Sequence, residues 1–142
     1  GEALEGLDFA AELQSNFIII VNDNDMSIAE NHGGLYQNLA LLRKTDGQTE
    51  CNLFKAMGLD YVYVDRGNDV AALIKAFKEV KDSTKPVVVH INTLKGKGYA
   101  PAEKCKEQWH YSGPFDIETG KPLFDNVEED YSSVTCEYLL ER

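Results

Sequence analysis

The chain has 142 residues, 43% of them hydrophobic, which is enough for one compact domain with a core of its own. Twenty-four acidic residues against fourteen basic ones leave a formal net charge of -10, which argues against nucleic acid or an anionic membrane as a general partner. Cys51, Cys105 and Cys136 are far apart and lack metal-ligand spacing, so they read as reduced thiols; with no secretory segment and no membrane-length apolar run, a soluble, cytoplasmic protein is expected.

Ala3, Leu4, Leu7, Phe9, Ala10, Ala11 and Leu13 recur at helical spacing and predict an amphipathic helix over 2–14. Phe17–Val21 is continuously apolar and β-branched, the pattern of a strand covered on both faces of a parallel sheet. Gly33-Gly34 then breaks the chain, Leu35–Arg43 predicts a short helix, and Thr49 is placed to cap another that runs through Met57 and ends at Gly58. Tyr61–Val64 reads as a second strand, and Gly67-Asn68 turns the chain into a helix with an apolar stripe of Val70, Leu73, Ile74, Phe77 and Val80. Lys75, Lys78, Glu79 and Lys81 occupy its other face. Pro86 opens a third strand, Val87–Ile91, too apolar for a half-exposed sheet.

This order of helices and strands predicts a three-layer α/β fold, a parallel sheet with helices on both faces and right-handed crossovers. From Gly113 to Glu129 the pattern fades into Pro, Gly and acidic residues, read as a linker or a surface-hugging tail, and Tyr131–Arg142 regains helical spacing through Val134, Tyr138 and Leu139. A chain that begins at Gly1 without a methionine reads as a processed or trimmed product.

Chemistry concentrates after the first strand, where the apolar run breaks into Asn22, Asp23, Asn24 and Asp25 before Met26. Ligands of parallel sheets gather at the carboxyl ends of strands, and four amide or carboxylate side chains there offer hard oxygens suited to Mg2+. The same residues also fit an ordinary strand-end turn. Lys95, Lys97, Lys104 and Lys106 surround a glycine-rich segment, Lys95-Gly96-Lys97-Gly98-Tyr99, which fits either a site for a phosphorylated ligand or a solvated loop. Glycines there would allow the backbone to approach a ligand closely. His90, inside a strand, reads as a satisfied core residue.

The string N-D-N-D-M-S-I-A-E-N at 22–31 resembles the second half of the thiamine diphosphate motif in the 1-deoxy-D-xylulose-5-phosphate synthase and transketolase family. Other segments agree in the same order. Gly1–Leu7 resembles the helix after the family's Gly-Asp-Gly turn, PVVVHINTLKGKGY at 86–99 resembles its late strand and glycine loop, and Pro101-Ala102-Glu103, Trp109-His110 and Phe115-Asp116 match the synthases' P-A-E and H-x-x-x-x-F-D segments. The likeness covers nearly the whole chain but only part of such an enzyme.

The resemblance implies an N-terminally truncated thiamine diphosphate-binding fold, with 1-112 as the later part of the diphosphate-binding domain, 113-130 a linker and 131-142 the start of the pyrimidine-binding domain or its leading helix. It implies that the Asn24 side chain and the Met26 carbonyl are ligands of Mg2+, with Asp23 and Asp25 as turn and supporting groups, since two more carboxylates in the inner shell would repel a diphosphate. Ile28, Tyr99 and Lys97 are implied at the cofactor, Ile28 being equally suited to a plain core role. His110 matches the histidine that faces the pyruvate-derived intermediate, against the alternative of a surface histidine beside Trp109. His32 would line substrate entry, and Glu5 lies near a dimer interface without a catalytic role. The implied reaction condenses pyruvate with glyceraldehyde 3-phosphate and releases carbon dioxide, in a homodimer. The family's aspartate ligand from Gly-Asp-Gly would precede Gly1, so the polypeptide as given is expected to bind Mg2+ and cofactor weakly and to be inactive alone.

Two departures stand out. The segment from Asn31 to Leu53 is much shorter than in typical synthases, and their G-H-D element reads Gly67-Asn68-Asp69 here. Transketolase shares the N-D-N clamp and is the alternative enzyme, although M-S-I-A-E-N and P-A-E favour the synthase side. A non-catalytic α/β interaction module with a degenerate cofactor site is the alternative of another class. A flavodoxin-like nucleotide binder lacks support, because no phosphate loop follows Phe17–Val21.

Overall fold

The computed structural model describes residues 2–124 and 130–141. Its elements in chain order are α1 (Glu2–Ala11), β1 (Ile18–Asp23), α2 (Gly34–Lys44), α3 (Leu53–Ala56), β2 (Asp60–Val64), α4 (Val70–Val80), β3 (Val87–Asn92), α5 (Ala100–Lys104), a single 3-10 turn over Gln108–His110, and α6 (Tyr131–Leu140). The chain divides into two compact units, Gly1–His110 and Tyr111–Arg142. Among the described residues, no helix is long and apolar enough to cross a membrane.

In the first unit all three strands are parallel, in the order β1-β3-β2. The central place of β3 follows from its sequence: Val87 to Ile91 are all buried, and β-branched residues on both faces suit a strand with neighbours on either side and helices above and below. One face packs Val87, Val89 and Ile91, with Ile18, Val62 and Val64, against Leu73, Ala76, Phe77 and Val80 of α4. The other packs Val88, with Ile19, Val21 and Tyr61, against Leu39 and Leu42 of α2, Phe54 of α3, and Leu7 and Ala11 of α1. These two cores make the expected three layers. Each fully buried Val, Leu or Phe contributes about 1.5–3 kcal/mol relative to an exposed one.

Local chemistry sets the boundaries. Asp69 caps α4 by accepting from the amides of Ala71 (2.9 Å) and Ala72 (3.3 Å), an N-cap preference of short acidic side chains. The cap of α3 is Asn52, which accepts from Phe54 and Lys55. Thr49, expected in that role, instead accepts from the Cys51 amide, and the helix is one turn long because its start lies three residues later than the threonine suggested. Gly58, at φ 90, ends it as expected. The first helix stops at Ala11 rather than residue 14, since Glu12 and Leu13 close three-residue turns onto Phe9 and Ala10.

The expected coverage of the first strand is also corrected. The first strand runs two residues past Val21 and is an edge strand, not one covered on both faces: Ile20 is 56% exposed. Its unbroken apolar run carries no alternation from which a partly open face could be read.

In the second unit, Phe115 and Pro122 form an isolated bridge, and the Asp116 side chain holds the intervening turn by accepting from Thr119. Asp130 and Ser133 form a reciprocal capping box that starts α6, on which no side chain is buried, so Val134, Tyr138 and Leu139 face outward. The part of the expected linker at 125–129, and Arg142, lie outside the described residues.

Candidate functional site

The carboxyl ends of the three strands sit side by side, and the loops that follow them are tied together by their own polar groups. The Thr93 hydroxyl donates to Asn22 Oδ1 (2.7 Å) and its amide donates to the Asp23 carbonyl (2.9 Å), joining the end of β1 to the loop after β3. Asn68 accepts from the Leu94 amide (2.8 Å), and Gly67 donates to the Asn92 carbonyl (2.8 Å), joining the end of β2 to the same loop. A Cβ on Gly67 would lie 2.4 Å from the Asn92 carbonyl oxygen, so only glycine permits this approach. Asn68 thus latches the end of β2 to the start of the loop after β3.

Directly after β1 the backbone forms a tight turn. Asn24 Oδ1 accepts from the Met26 amide (3.0 Å), and Asp23 Oδ1 accepts from the Asp25 amide (3.1 Å). Asp25 takes φ 63, a left-handed conformation that aspartate and asparagine adopt more readily than other side chains. Beyond it, Met26 and Glu30 bridge in antiparallel fashion, leaving Ile28 61% exposed on the small loop between them. Ile28 therefore has no core role in this unit.

Beneath the turn lies a buried network that the sequence did not disclose. Arg43 Nη1 bonds Asp23 Oδ2 (2.6 Å), Arg43 Nη2 bonds Asp25 Oδ1, and His90 Nε2 bonds Asp23 Oδ2 (2.8 Å). The His90 Nδ1 lies 2.7 Å from the Tyr61 hydroxyl. Burial alone would push the Asp23 carboxyl up, but the hydrogen bonds from His90 and Arg43 outweigh it and hold it at about 2. Burial raises the Tyr61 phenol well above its usual range, so it keeps its proton. The ionised Asp23 carboxylate has only acceptors, so Nε2–H of His90 donates to it, and the Tyr61 hydroxyl meets the other ring nitrogen. His90 is fully buried, edge-on to Phe54, Tyr61 and Tyr63, as expected of a satisfied core histidine. Two signals in the sequence could have found this network: Arg43 falls on the spacing of the inward-facing Leu35, Leu39 and Leu42 stripe, where a charge needs a partner, and Asp23 shares the parity of Ile19 and Val21 on β1. Joining Asp23 to His90 required the β1–β3 register, which pairs Val21 with His90.

The glycine-rich loop packs on the helix after it. Gly96 (φ 80) and Gly98 (φ 95) both need the left-handed region, and a Cβ on Gly96 would lie 2.7 Å from the carbonyl carbon of Ala102. Glu103 accepts from the Gly98 amide (2.8 Å), so K-G-K-G-Y and P-A-E form one folded unit. The smallness of Gly96 is accounted for by Ala102, whereas Gly98 has open space around it. Tyr99 caps α5 from a β conformation and meets Trp109 edge-to-face with ring centroids 5.1 Å apart.

Lys95 links these parts. Its ammonium donates to the Ser27 carbonyl (2.8 Å) and lies 3.4 Å from His110 Nδ1. The turn after β1, the glycine-rich loop and the exposed His110 thus converge on one cation. A cleft of about 810 Å3 is lined by Asp25, Met26, Glu103, Lys104, Cys105 and Lys106 among others, and a crevice of about 690 Å3 next to it holds Asn24, His32, Arg43 and Lys106. Lys97 is not brought to either; it lines a separate hollow with Arg66, Asn68 and Thr93 at the end of β2.

Among the described residues, no three His, Cys, Asp or Glu side chains converge as metal ligands. The oxygens at the turn are of another kind, an amide oxygen at Asn24 and the backbone carbonyl of Met26. Hard, neutral oxygens of this type fit Mg2+ bound to a diphosphate, and Arg43 pairs with both neighbouring carboxylates and offsets one of their two charges.

A family model described as 1-deoxy-D-xylulose-5-phosphate synthase matches residues 1–52 and 45–93. The chain is 38% identical over 127 residues to the 1-deoxy-D-xylulose-5-phosphate synthase of Listeria monocytogenes serotype 4b, covering 84% of this chain and 21% of that protein. It is 35% identical over 154 residues to the synthase of Campylobacter hominis (86% of this chain, 25% of that protein). Against the synthase of Yersinia pseudotuberculosis it is 33% identical over 174 residues, covering 99% of this chain and 28% of that protein. The chain therefore spans about a quarter of the length of these relatives. An alignment of 174 positions exceeds the 142 residues present, so that relative carries residues this chain lacks, in keeping with the short segment between Asn31 and Leu53.

Proposed function

The chain belongs to the 1-deoxy-D-xylulose-5-phosphate synthase family, and from that membership we propose that it forms part of a thiamine diphosphate-dependent transferase that condenses pyruvate with glyceraldehyde 3-phosphate and releases carbon dioxide. On this reading the enzyme is a cytoplasmic homodimer. Residues 1-112 belong to its diphosphate-binding domain, 113-130 to a linker, and 131-142 to the start of the pyrimidine-binding domain.

The observation that carries the reading is Lys95, whose ammonium stands between the Ser27 carbonyl and His110 Nδ1 and so gathers the three segments that resemble the synthases. Asn24 Oδ1 and the Met26 carbonyl would hold Mg2+. Ile28 and Tyr99 would contact the cofactor, Tyr99 held by Trp109 and Ile28 offering an open apolar face. Lys97, exposed on the neighbouring hollow, would serve as a diffuse positive charge for a phosphorylated ligand. Thiamine diphosphate, when bound, supplies the electron sink for decarboxylation and carbon–carbon bond formation.

The protein's own part is to bind, orient and move protons. An ammonium has only donors, so Lys95 fixes Nδ1 of His110 as the acceptor and leaves the proton on Nε2. That N–H would donate a hydrogen bond to the carboxylate of pyruvate, and a proton given up from Nε2 as the product forms would be replaced at Nδ1 from the Lys95 ammonium, so that the imidazole stays neutral.

The test is isothermal titration of thiamine diphosphate with Mg2+ into the gene product that carries this chain. Asn24→Ala should weaken cofactor binding at least tenfold, about 1.4 kcal/mol, without lowering the melting temperature by more than a degree or two. Equal affinity in the variant would remove Asn24 from the metal site and the reading with it.

A further inference from the structure

We infer that Arg43 is the positioning residue that forms the Asn24–Met26 turn in advance of any ligand. The inference rests on the cofactor reading only for the turn's purpose.

The turn as folded is unfavourable without help. Asp25 is left-handed at φ 63, and Asp23 and Asp25 carry like charges on either side of Asn24. A single guanidinium relieves this, bonding Asp23 through Nη1 and Asp25 through Nη2. Its planar fork spans both carboxylates, which one ammonium cannot do with the same geometry. The inner half of the clamp is anchored, because Asp23 is 5% exposed and also accepts from His90 of the central strand. The outer half sets Asp25, and with it the amide of Met26 that Asn24 Oδ1 accepts.

Two consequences follow for the site. Arg43 holds one oxygen of each carboxylate, which draws both back from a cation's inner shell and lowers the negative charge at the crevice that Asp25 lines. The turn also keeps its shape with no cation present, which removes an ordering cost from binding. Arg43 lies on α2, twenty residues from Asp23 and on no segment that resembles a cofactor motif.

The experiment is amide hydrogen exchange of the chain without metal, comparing wild type, Arg43→Gln, Arg43→Lys and Asp25→Asn. Arg43→Gln should speed exchange at the Asp25 and Met26 amides on the order of tenfold while Val88 and Val89 hold their rates. Arg43→Lys should recover part of the protection, and Asp25→Asn, which spares the buried pair, should show a smaller rise at Met26. Unchanged rates at Asp25 and Met26 in Arg43→Gln overturn the inference. If that variant does not fold, unchanged exchange at Met26 in Asp25→Asn overturns it instead. Mn2+ binding followed by electron paramagnetic resonance, with thiamine diphosphate present in the full gene product, separates the two readings. Absence of binding by wild type defeats the cofactor assignment, while the exchange rates still decide the role of Arg43. With binding present, Arg43→Gln should weaken it about tenfold and Arg43→Lys by less.

Discussion

Asp23 is the residue on which the site's electrostatics turn. Its carboxyl falls from an ordinary 3.8 to about 2 in the folded chain. A depressed folded value stabilises the protein above the unfolded pKa and is lost as pH falls through the folded one. Since Asp23 is buried, the shift corresponds to about 2 kcal/mol, fully present above about pH 4 and lost on acidification toward pH 2. Urea unfolding at a series of acid pH values should show this decline, and Asp23→Asn should flatten it. His90→Leu tests the same group from the other side. It removes one of the carboxylate's partners, leaving Arg43 and the Asp25 amide, and strands the Tyr61 hydroxyl, so the urea midpoint should report a loss of about 2 kcal/mol. In the sequence, Asn24, Met26 and His110 were singled out through the resemblance to the synthases, and His90 only as a core residue. Arg43 was not, and the network went unread, because joining Asp23 to His90 takes the pairing of β1 with β3.

At the level of elements, period and composition were enough to predict three strands and the helices between them, and five-residue Val87–Ile91 is buried throughout as its composition required. Helix ends were less legible. Thr49 and Asn52 both fit a cap, and the choice between them depends on where α3 meets Leu42 and Val88 in the core, which is a tertiary matter. The glycine-rich loop shows the same limit. Its glycines suggested room for a ligand, but the two are not equivalent. Gly96→Ala must displace the Ala102 backbone and bear a positive φ, costing about 2 kcal/mol. Gly98→Ala bears only the positive φ, in open space, and should cost about 1 kcal/mol. Thermal melts of the two variants should therefore rank Gly96→Ala below Gly98→Ala, and the opposite order would mean that the loop does not rest on α5.

For the whole molecule, the parallel α/β architecture was readable from the sequence, while exposure was not. Apolar side chains that read as buried instead face outward: Ile20 on the edge strand, Val70 and Ile74 on α4, Phe9 on α1. An exposed apolar edge strand invites pairing with other chains. Ile20→Lys should therefore leave the unfolding free energy within about 0.5 kcal/mol of wild type and reduce self-association in light scattering as concentration rises. A large loss of stability would show that Ile20 is packed rather than exposed. The net negative charge, -10, keeps copies apart chiefly at low salt, where screening is weak.

The line from Tyr61 through His90 and Asp23 to Arg43 has a kinetic meaning as well. Its central link joins residues 67 positions apart, and His90 and Asp23 meet only when β1 lies against β3. We predict that such a link forms after the rate-limiting step, when loops have closed and the apolar faces have docked. Breaking it should leave the refolding limb of a chevron plot nearly unmoved and steepen the escape from the native state instead. The network would then serve as a latch on lifetime, one that sets how long the turn beside Asn24 stays assembled rather than how quickly it is built.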